Sequence, residues 1–316
     1  MILITGGTGF VGRHLQRKLA ERRIECFAFP KSHADLTDPV QANAVFQEHR
    51  EADTIVHLAS YQAAGVFPAR FPADQFQINN RIHLNVLDAW RRFMPDARLI
   101  AIGTSCAYPS SAVKLTEDVF LDGDVHGSVY AYAFTKRLLW MGIKALNDQY
   151  KMNGSYLIPA TMFGEYDDFH EATAHVTGAL IGKFVRAVRE GLPEVEVWGD
   201  GTQVREFIDV EDFVTALLHV APVCHRDIIN VGPGRGTSIR DLAEAIGRAA
   251  GFRGKIVFNA ERYMGIREKF MDATKLARDY EWKIPTDLDA GLARTCRWVD
   301  ANYEALKDKP KFPGVV

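Results

Sequence analysis

The stretch Met1-Ile-Leu-Ile-Thr-Gly-Gly-Thr-Gly-Phe-Val-Gly12, followed by Arg13-His-Leu-Gln-Arg-Lys-Leu-Ala20, decides the fold. An apolar run breaks into closely spaced glycines and resumes with helical spacing. This predicts a buried strand at residues 2–4, a tight turn at 6–9, and a helix with Val11, Leu15 and Leu19 on one face. Glycine permits positive φ and leaves no Cβ between backbone and ligand, so the N–H groups at the helix start can meet a pyrophosphate. The spacing Gly6-x-x-Gly9-x-x-Gly12 departs from the simplest G-x-G-x-x-G fingerprint. Its position after a strand and before a helix is what points to a dinucleotide.

At 316 residues, 47% hydrophobic and 25% charged, the chain can bury a large core and support two closely packed lobes. A formal net charge of −2, with Lys and Arg dispersed, offers no field for nucleic acid. No apolar run approaches the ~18 residues of a membrane span. The strand-first start lacks the order of a signal peptide, so a cytoplasmic protein is expected. Cys26, Cys106, Cys224 and Cys296 are far apart and suggest neither a disulfide framework nor a metal pair, which fits a reducing compartment. His170 and His175 are five apart, unlike the H-E-x-x-H spacing that keeps two ligands on one helical face, and no metal is expected.

Residues 24–29 read as a second strand. The segment after it, Phe29-Pro-Lys31-Ser-His33-Ala-Asp35, bears on the choice of nicotinamide cofactor, because this region meets the adenosine ribose. A cation nearest the strand end favours the 2′-phosphate of NADP over the hydroxyl of NAD, although a solvated loop lysine would look the same. There follow a helix over 39–49, a strand over 54–58, a helix over 76–92 carrying Phe76, Val86, Leu87 and Trp90, and a strand over 99–103. Strands alternating with helices write a parallel, doubly wound α/β sheet of Rossmann type. The expected division is a dinucleotide-binding domain over 1–163, rejoined by roughly 205–232, and a smaller α/β substrate lobe over 164–316.

Gly103-Thr-Ser-Cys-Ala-Tyr-Pro109 stands at the end of the fourth strand, where ligands of open α/β sheets bind. Further on, Tyr130-Ala-Tyr-Ala-Phe-Thr-Lys136 opens a helix, and Tyr132 and Lys136, four apart, share a face. A phenol with a reference pKa near ~10 is a poor acid or base at neutral pH, but a neighbouring ammonium stabilises its phenolate. Such a pair can protonate a carbonyl that takes up hydride. Either segment alone occurs in ordinary turns and helices. With the glycine turn they point to an oxidoreductase.

These pieces, together with His57-Leu-Ala-Ser60, Asn79, Asn85 and Asn230-Val-Gly232, resemble the extended short-chain dehydrogenase/reductases over nearly the whole chain. The resemblance implies a catalytic set of Thr104, Tyr132 and Lys136, with Lys136 also holding the nicotinamide ribose. It places cofactor contacts at Gly6, Thr8, Gly9, Phe10, Val11 and Gly12, then at Lys31, Asp35 and Leu36, then at Leu58, Ala59, Ser60 and Asn79. Tyr132, Lys136, Pro159, Thr161, Met162 and His175 complete that set.

Within the family, three stretches are similar to the branch that epimerises and reduces GDP-linked 4-keto-6-deoxy sugars. They are Thr104-Ser-Cys-Ala-Tyr-Pro109, Phe169-His-Glu-Ala-Thr-Ala-His175-Val and Val197-Trp-Gly-Asp-Gly-Thr-Gln-Val-Arg205-Glu-Phe207. By that resemblance Cys106 and His175 are the epimerisation base and acid, and Ser105, Cys106, Tyr132, Lys183, Trp198, Arg205 and Lys269 meet the nucleotide sugar. A 4-keto group acidifies both neighbouring C–H bonds, and thiol and imidazole, with reference pKa values near ~8.5 and ~6.5, can remove and return a proton on opposite faces. Read without the resemblance, Cys106 is equally a small core residue and His175 equally a helix-start residue held by backbone. The sequence departs from the family in Thr161 for asparagine, Thr104 for serine and Lys183 for arginine, whose bidentate fork lysine cannot reproduce.

The remainder reads as a helix over 175–189, a strand over 195–198, a turn over 199–201, a helix over 210–220, a strand over 228–232 and a helix carrying Ile239, Leu242, Ile246 and Ala249. Thr286-Asp-Leu-Asp289 caps a closing helix through 303, and the Pro-containing end after Lys307 is a loose tail. A substrate cleft is expected between the lobes. The helices over 76–92 and 132–147 carry apolar residues beyond what one sheet face needs, and the resemblance implies that they pair in a homodimer. The expected function is NADP(H)-dependent reduction, with epimerisation at C3 and/or C5, of a nucleotide-linked 4-keto-6-deoxy sugar, a GDP-sugar favoured. Two other readings stand beside it. An NAD-dependent nucleotide-sugar 4-epimerase is disfavoured by Cys106 and His175, and a non-catalytic NADP-sensing protein would not need Tyr132 and Lys136.

Overall fold

The computed structural model describes residues 1–261, 268–285, 287–307 and 309. Strand β1 (Ile2–Thr5) buries Leu3 and Ile4 completely and runs into the glycine turn. Gly6 sits at φ +71°, in the left-handed region, and a Cβ there would lie 2.7 Å from the Ala59 nitrogen. Helix α1 (Phe10–Glu21) then buries Gly12, His14, Leu15 and Leu19, with Val11 half-buried beside them.

The alternation continues through β2 (Cys26–Phe29), α2 (Pro39–Glu48), β3 (Thr54–His57), α3 (Pro72–Phe93), β4 (Arg98–Ile102), α4 (Tyr130–Tyr150) and β5 (Asn153–Pro159). After a second lobe begins with α5 (Val176–Glu190), the chain returns with α6 (Val210–Val220) and β6 (Ile228–Val231). The six strands form one parallel sheet in the order β6-β5-β4-β3-β1-β2. From β1 the chain goes first to one side and then to the other, so the strand order reverses at β1 and β3, and the glycine turn stands at that switch point.

The sequence reading did not mark β5, which lies between β4 and β6. Its opening Asn153-Gly-Ser155 looks like a loop, yet Ser155 is fully buried and a Cβ on Gly154 would meet Ile143 at 2.5 Å. Helix α3 starts at Pro72, four residues before the first apolar position that marked it, because proline tolerates the first helical turn.

In the second lobe, Glu194–Trp198 pairs in parallel with Lys255–Asn259, and α5, α7 (Ile239–Ala250) and α8 (Leu288–Ala301) pack around Phe184, Ile246 and Leu292. Asp287 caps α8 by accepting the Asp289 N–H at 3.2 Å. Thr286, also read as part of that cap, lies outside the described residues, as does the tail beyond Lys307 apart from Lys309. The larger core, around β1–β6, takes in Phe213 of α6 and the later residues Met271 and Leu276.

Candidate active site

Two features of the turn suit a bound pyrophosphate. A Cβ on Gly12 would lie 2.5 Å from the Gly7 oxygen and 2.6 Å from the Gly6 oxygen, so only glycine lets the helix start this close to the strand end. Gly9 is the N-cap of α1 at φ −76°, and no side chain caps the helix. The first-turn N–H groups, from Phe10 onward, therefore have no intrahelical partner and meet the positive end of the helix dipole. Thr8 is exposed beside them. These residues fit the phosphates of a nicotinamide dinucleotide.

The rest of the expected cofactor set divides. Leu58, Ala59 and Ser60 are half-buried at the end of β3, where Ala59 N–H donates to Thr5 Oγ1 at 3.2 Å. Lys31 is exposed with its Nζ 3.1 Å from Asp35 Oδ2, so part of the charge assigned to a 2′-phosphate is spent on its neighbour. Leu36 does not offer its side chain to a ligand: it is buried in the larger core, and Asn85 Nδ2 donates to its carbonyl at 2.9 Å. The Asn79 amide is engaged within the protein. Its Oδ1 accepts from Ser60 Oγ at 3.0 Å and Tyr61 N at 2.8 Å, and its Nδ2 donates to the Tyr61 and Gln75 carbonyls, which uses all four bonds an amide can make. It therefore shapes the loop that presents Ser60. Pro159 is buried at the end of β5, and Met162 packs on the larger core.

Helix α4 brings the chemistry to the end of β4. Lys136 is buried and donates from Nζ to the Ile102 carbonyl at 3.0 Å, with Nζ 5.7 Å from the Tyr132 ring centroid. Burial pushes the Lys136 ammonium down to about 7. Burial also raises the Tyr132 phenol above its ordinary value, against a hydrogen bond with the Ser60 side chain, so the phenol keeps its proton at neutral pH. Thr104 Oγ1 accepts the Cys106 N–H at 3.2 Å and caps the single turn Ser105–Ala107.

Two supports of this arrangement gave no sequence signal. Arg137 donates from Nε to the Ala107 carbonyl at 2.7 Å and from its two Nη atoms to Gly123 and Asp122, each at 2.8 Å, which pins the Thr104 turn to the next loop. His83, buried on α3, has Nδ1 2.9 Å from His57 Nε2, and His57 Nδ1 lies 2.7 Å from Thr5 Oγ1. Burial, then the Lys136 charge, pushes His57 down to about 3 and His83 in the same direction.

A cavity of about 290 Å³ is bordered by Cys106, which interacts electrostatically with the Tyr132 phenol. Ser105, Cys106, Thr161, His175, Arg205 and Lys269 all border it, together with His126, Ser128 and Glu206, which the sequence reading had not selected. His175 occupies the N-cap of α5 without a side-chain capping bond, its Nε2 3.3 Å from Gln62 Nε2. Burial lowers the Lys269 ammonium; nearby Cys106 opposes that, and Arg205 and Arg137 add to it. Lys183 and Trp198 stand outside the lining: Lys183 Nζ is 2.7 Å from Glu171 Oε1 and 5.2 Å from the Trp198 ring, so the lysine is committed to its neighbours. Among the described residues no cluster of three or more His, Cys, Asp or Glu could hold a metal, and no helix is long and apolar enough to cross a membrane.

The model of the NAD dependent epimerase/dehydratase family matches residues 2–232, which include the glycine turn and the tyrosine–lysine pair. The chain belongs to that family. It is 30% identical to the GDP-L-fucose synthase of Escherichia coli (strain K12), over 97% of this chain and 98% of the relative. It is 28% identical to the GDP-L-colitose synthase of Yersinia pseudotuberculosis, over 94% of this chain and 97% of that one. Among solved structures, a GDP-L-fucose synthetase from Naegleria fowleri bound to NADP superposes with a TM-score of 0.85 at 26% identity, covering 96% of this chain and 94% of that one. In this epimerase/dehydratase-family enzyme the glycine turn follows β1 and the Thr104 turn follows β4, so the candidate site lies at the carboxyl ends of the strands, as in other open α/β folds.

Proposed function

We propose that this protein is an NADP(H)-dependent reductase of a GDP-linked 4-keto-6-deoxy sugar, and that it epimerises C3 and/or C5 before reduction. The observation that carries the proposal is that Cys106 and His175 border one cavity with Arg205 and Lys269, and that Cys106 lies close enough to the Tyr132 phenol, itself beside Lys136, to add to burial in raising its pKa. The similarity to relatives named GDP-L-fucose synthase and GDP-L-colitose synthase supports the same substrate class. The Naegleria structure with NADP supports the cofactor.

Bound NADPH supplies the hydride that C4 takes up. Tyr132 gives its phenolic proton to the C4 oxygen, the Thr104 hydroxyl donates to the same oxygen, and the Lys136 ammonium stabilises the phenolate that remains. In the epimerisation, the Cys106 thiolate removes a proton from a carbon beside the carbonyl, and the His175 imidazolium returns one to the opposite face. Arg205 and Lys269 neutralise the diphosphate. The Lys31–Asp35 ion pair leaves NAD as the alternative cofactor, and with it the reading as a 4-epimerase that retains NAD.

The reaction takes place in the cytoplasm in a homodimer. Helices α3 and α4 pack against each other and leave Phe76, Leu84, Phe134 and Met141 exposed, a surface suited to a second copy.

Solvent exchange tests the assignment. In D2O with NADPH and GDP-4-keto-6-deoxymannose, the wild type should oxidise NADPH and place deuterium at C3 or C5. Cys106→Ser should keep the oxidation and lose the deuterium. Unchanged exchange in that variant rejects the epimerase role, and retained NAD with no net reduction selects the 4-epimerase.

A further inference from the structure

The chemistry above assigns no role to His126, one of the polar residues of the cavity wall. His126 is half-buried, borders the cavity, and caps the short turn Gly127–Val129 that leads into α4. Its Nδ1 accepts the Ser128 main-chain N–H at 3.3 Å, and Ser128 Oγ lies 2.7 Å from the same nitrogen. An amide nitrogen can only donate, so Nδ1 is the acceptor of the ring, and the imidazole hydrogen is on Nε2. In this tautomer the ring is an imidazole with one hydrogen-bond donor, Nε2–H, on a side chain that borders the cavity. The arginine and lysine of the wall, Arg205 and Lys269, suit phosphate, whereas an uncharged donor suits a hydroxyl oxygen.

A donor fixed in the wall is useful when it binds an oxygen that stays in place throughout the reaction. In a 4-keto-6-deoxy hexose, C4 is reduced, C3 and C5 can invert, and C6 carries no oxygen. The hydroxyl on C2 is the one that no step disturbs. We propose that His126 is a specificity-determining residue whose Nε2–H donates to the C2 hydroxyl of the sugar, so that the enzyme prefers substrates bearing that hydroxyl to their 2-deoxy counterparts. The inference rests on the nucleotide-sugar reading given above and adds to it the residue that reads the sugar ring.

The test measures kcat/KM with NADPH for GDP-4-keto-6-deoxymannose and for its 2-deoxy analogue, in the wild type, His126→Ala and His126→Gln. A glutamine amide N–H reaches about as far from the backbone as imidazole Nε2. His126→Ala should lose about tenfold on the hydroxyl-bearing sugar, the scale of one hydrogen bond between uncharged groups, and change little on the analogue. His126→Gln should restore most of the preference, and inhibition by GDP should be the same in all three proteins. Equal losses on both sugars, or no loss on either, overturn the inference and leave the reductase reading intact. A wild type that reduces neither sugar overturns the nucleotide-sugar reading, and this inference with it.

Discussion

Glu206 holds a buried carboxylate, 4% exposed, in the cavity wall, where it accepts main-chain N–H bonds from Gly234 at 2.6 Å and Met271 at 2.8 Å. Burial outweighs those bonds and pushes its pKa up to about 7. A carboxyl whose folded pKa exceeds its unfolded value contributes stability that is fully present below about 4.5 and is lost as pH rises through 7. The difference in unfolding free energy between Glu206→Gln and the wild type should therefore rise by on the order of 3 kcal/mol from pH 4.5 to 8. Urea titrations at several pH values check this, and a difference that does not change with pH contradicts it. Glu206 also marks where the sequence stops being informative about single residues. The sequence singles out Tyr132 and Lys136 by their spacing of four on one helix face, and Thr104 and Cys106 through resemblance to the family. Glu206 bonds backbone N–H groups 28 and 65 positions away, and Arg137 bonds three carbonyls, so neither leaves a local pattern.

At the level of elements, periodic apolar spacing located β1, α1, α6 and α7 to within a residue or two, because each buries one face against a core that the alternation itself announces. Strand β5 escaped because residues that commonly form loops are tolerated where Ile143 and Trp90 fill the space a side chain would take. Lys255–Asn259 escaped for a different reason: it lies at the margin of the smaller lobe, only partly buried, and shows no clean alternation. The outer faces of α3 and α4 carry the element-scale prediction. Leu84 and Met141 are 53% and 58% exposed, and a charge at each should prevent the helices from packing on a second copy. Sedimentation at micromolar concentration should show a dimeric wild type and a monomeric Leu84→Asp/Met141→Asp double variant with the same helix content. A dimeric variant would contradict the assigned face.

Across the whole molecule, two cores meet around the cavity. The larger contains the six-stranded sheet with α6 and Met271, and the smaller contains Phe184, Ile246 and Leu292. The sequence-based division expects two lobes that part at residue 164. It does not convey that Leu276 rejoins the larger core, since that return depends on contacts between distant segments with no composition change to mark it. Cys106 comes from the end of β4, His175 from the start of α5, and Lys269 from just before a segment that pairs with Lys114–Leu115, so the fold as a whole assembles the cavity, with Cys106 near the Tyr132 phenol. The account depends on that phenol as the proton donor to the carbonyl. The most direct measurement is NADPH oxidation by Tyr132→Phe with GDP-4-keto-6-deoxymannose, alongside NADPH binding by fluorescence. The account predicts that kcat falls by roughly 10²–10⁴ while NADPH affinity stays within about twofold; turnover comparable to the wild type would contradict it.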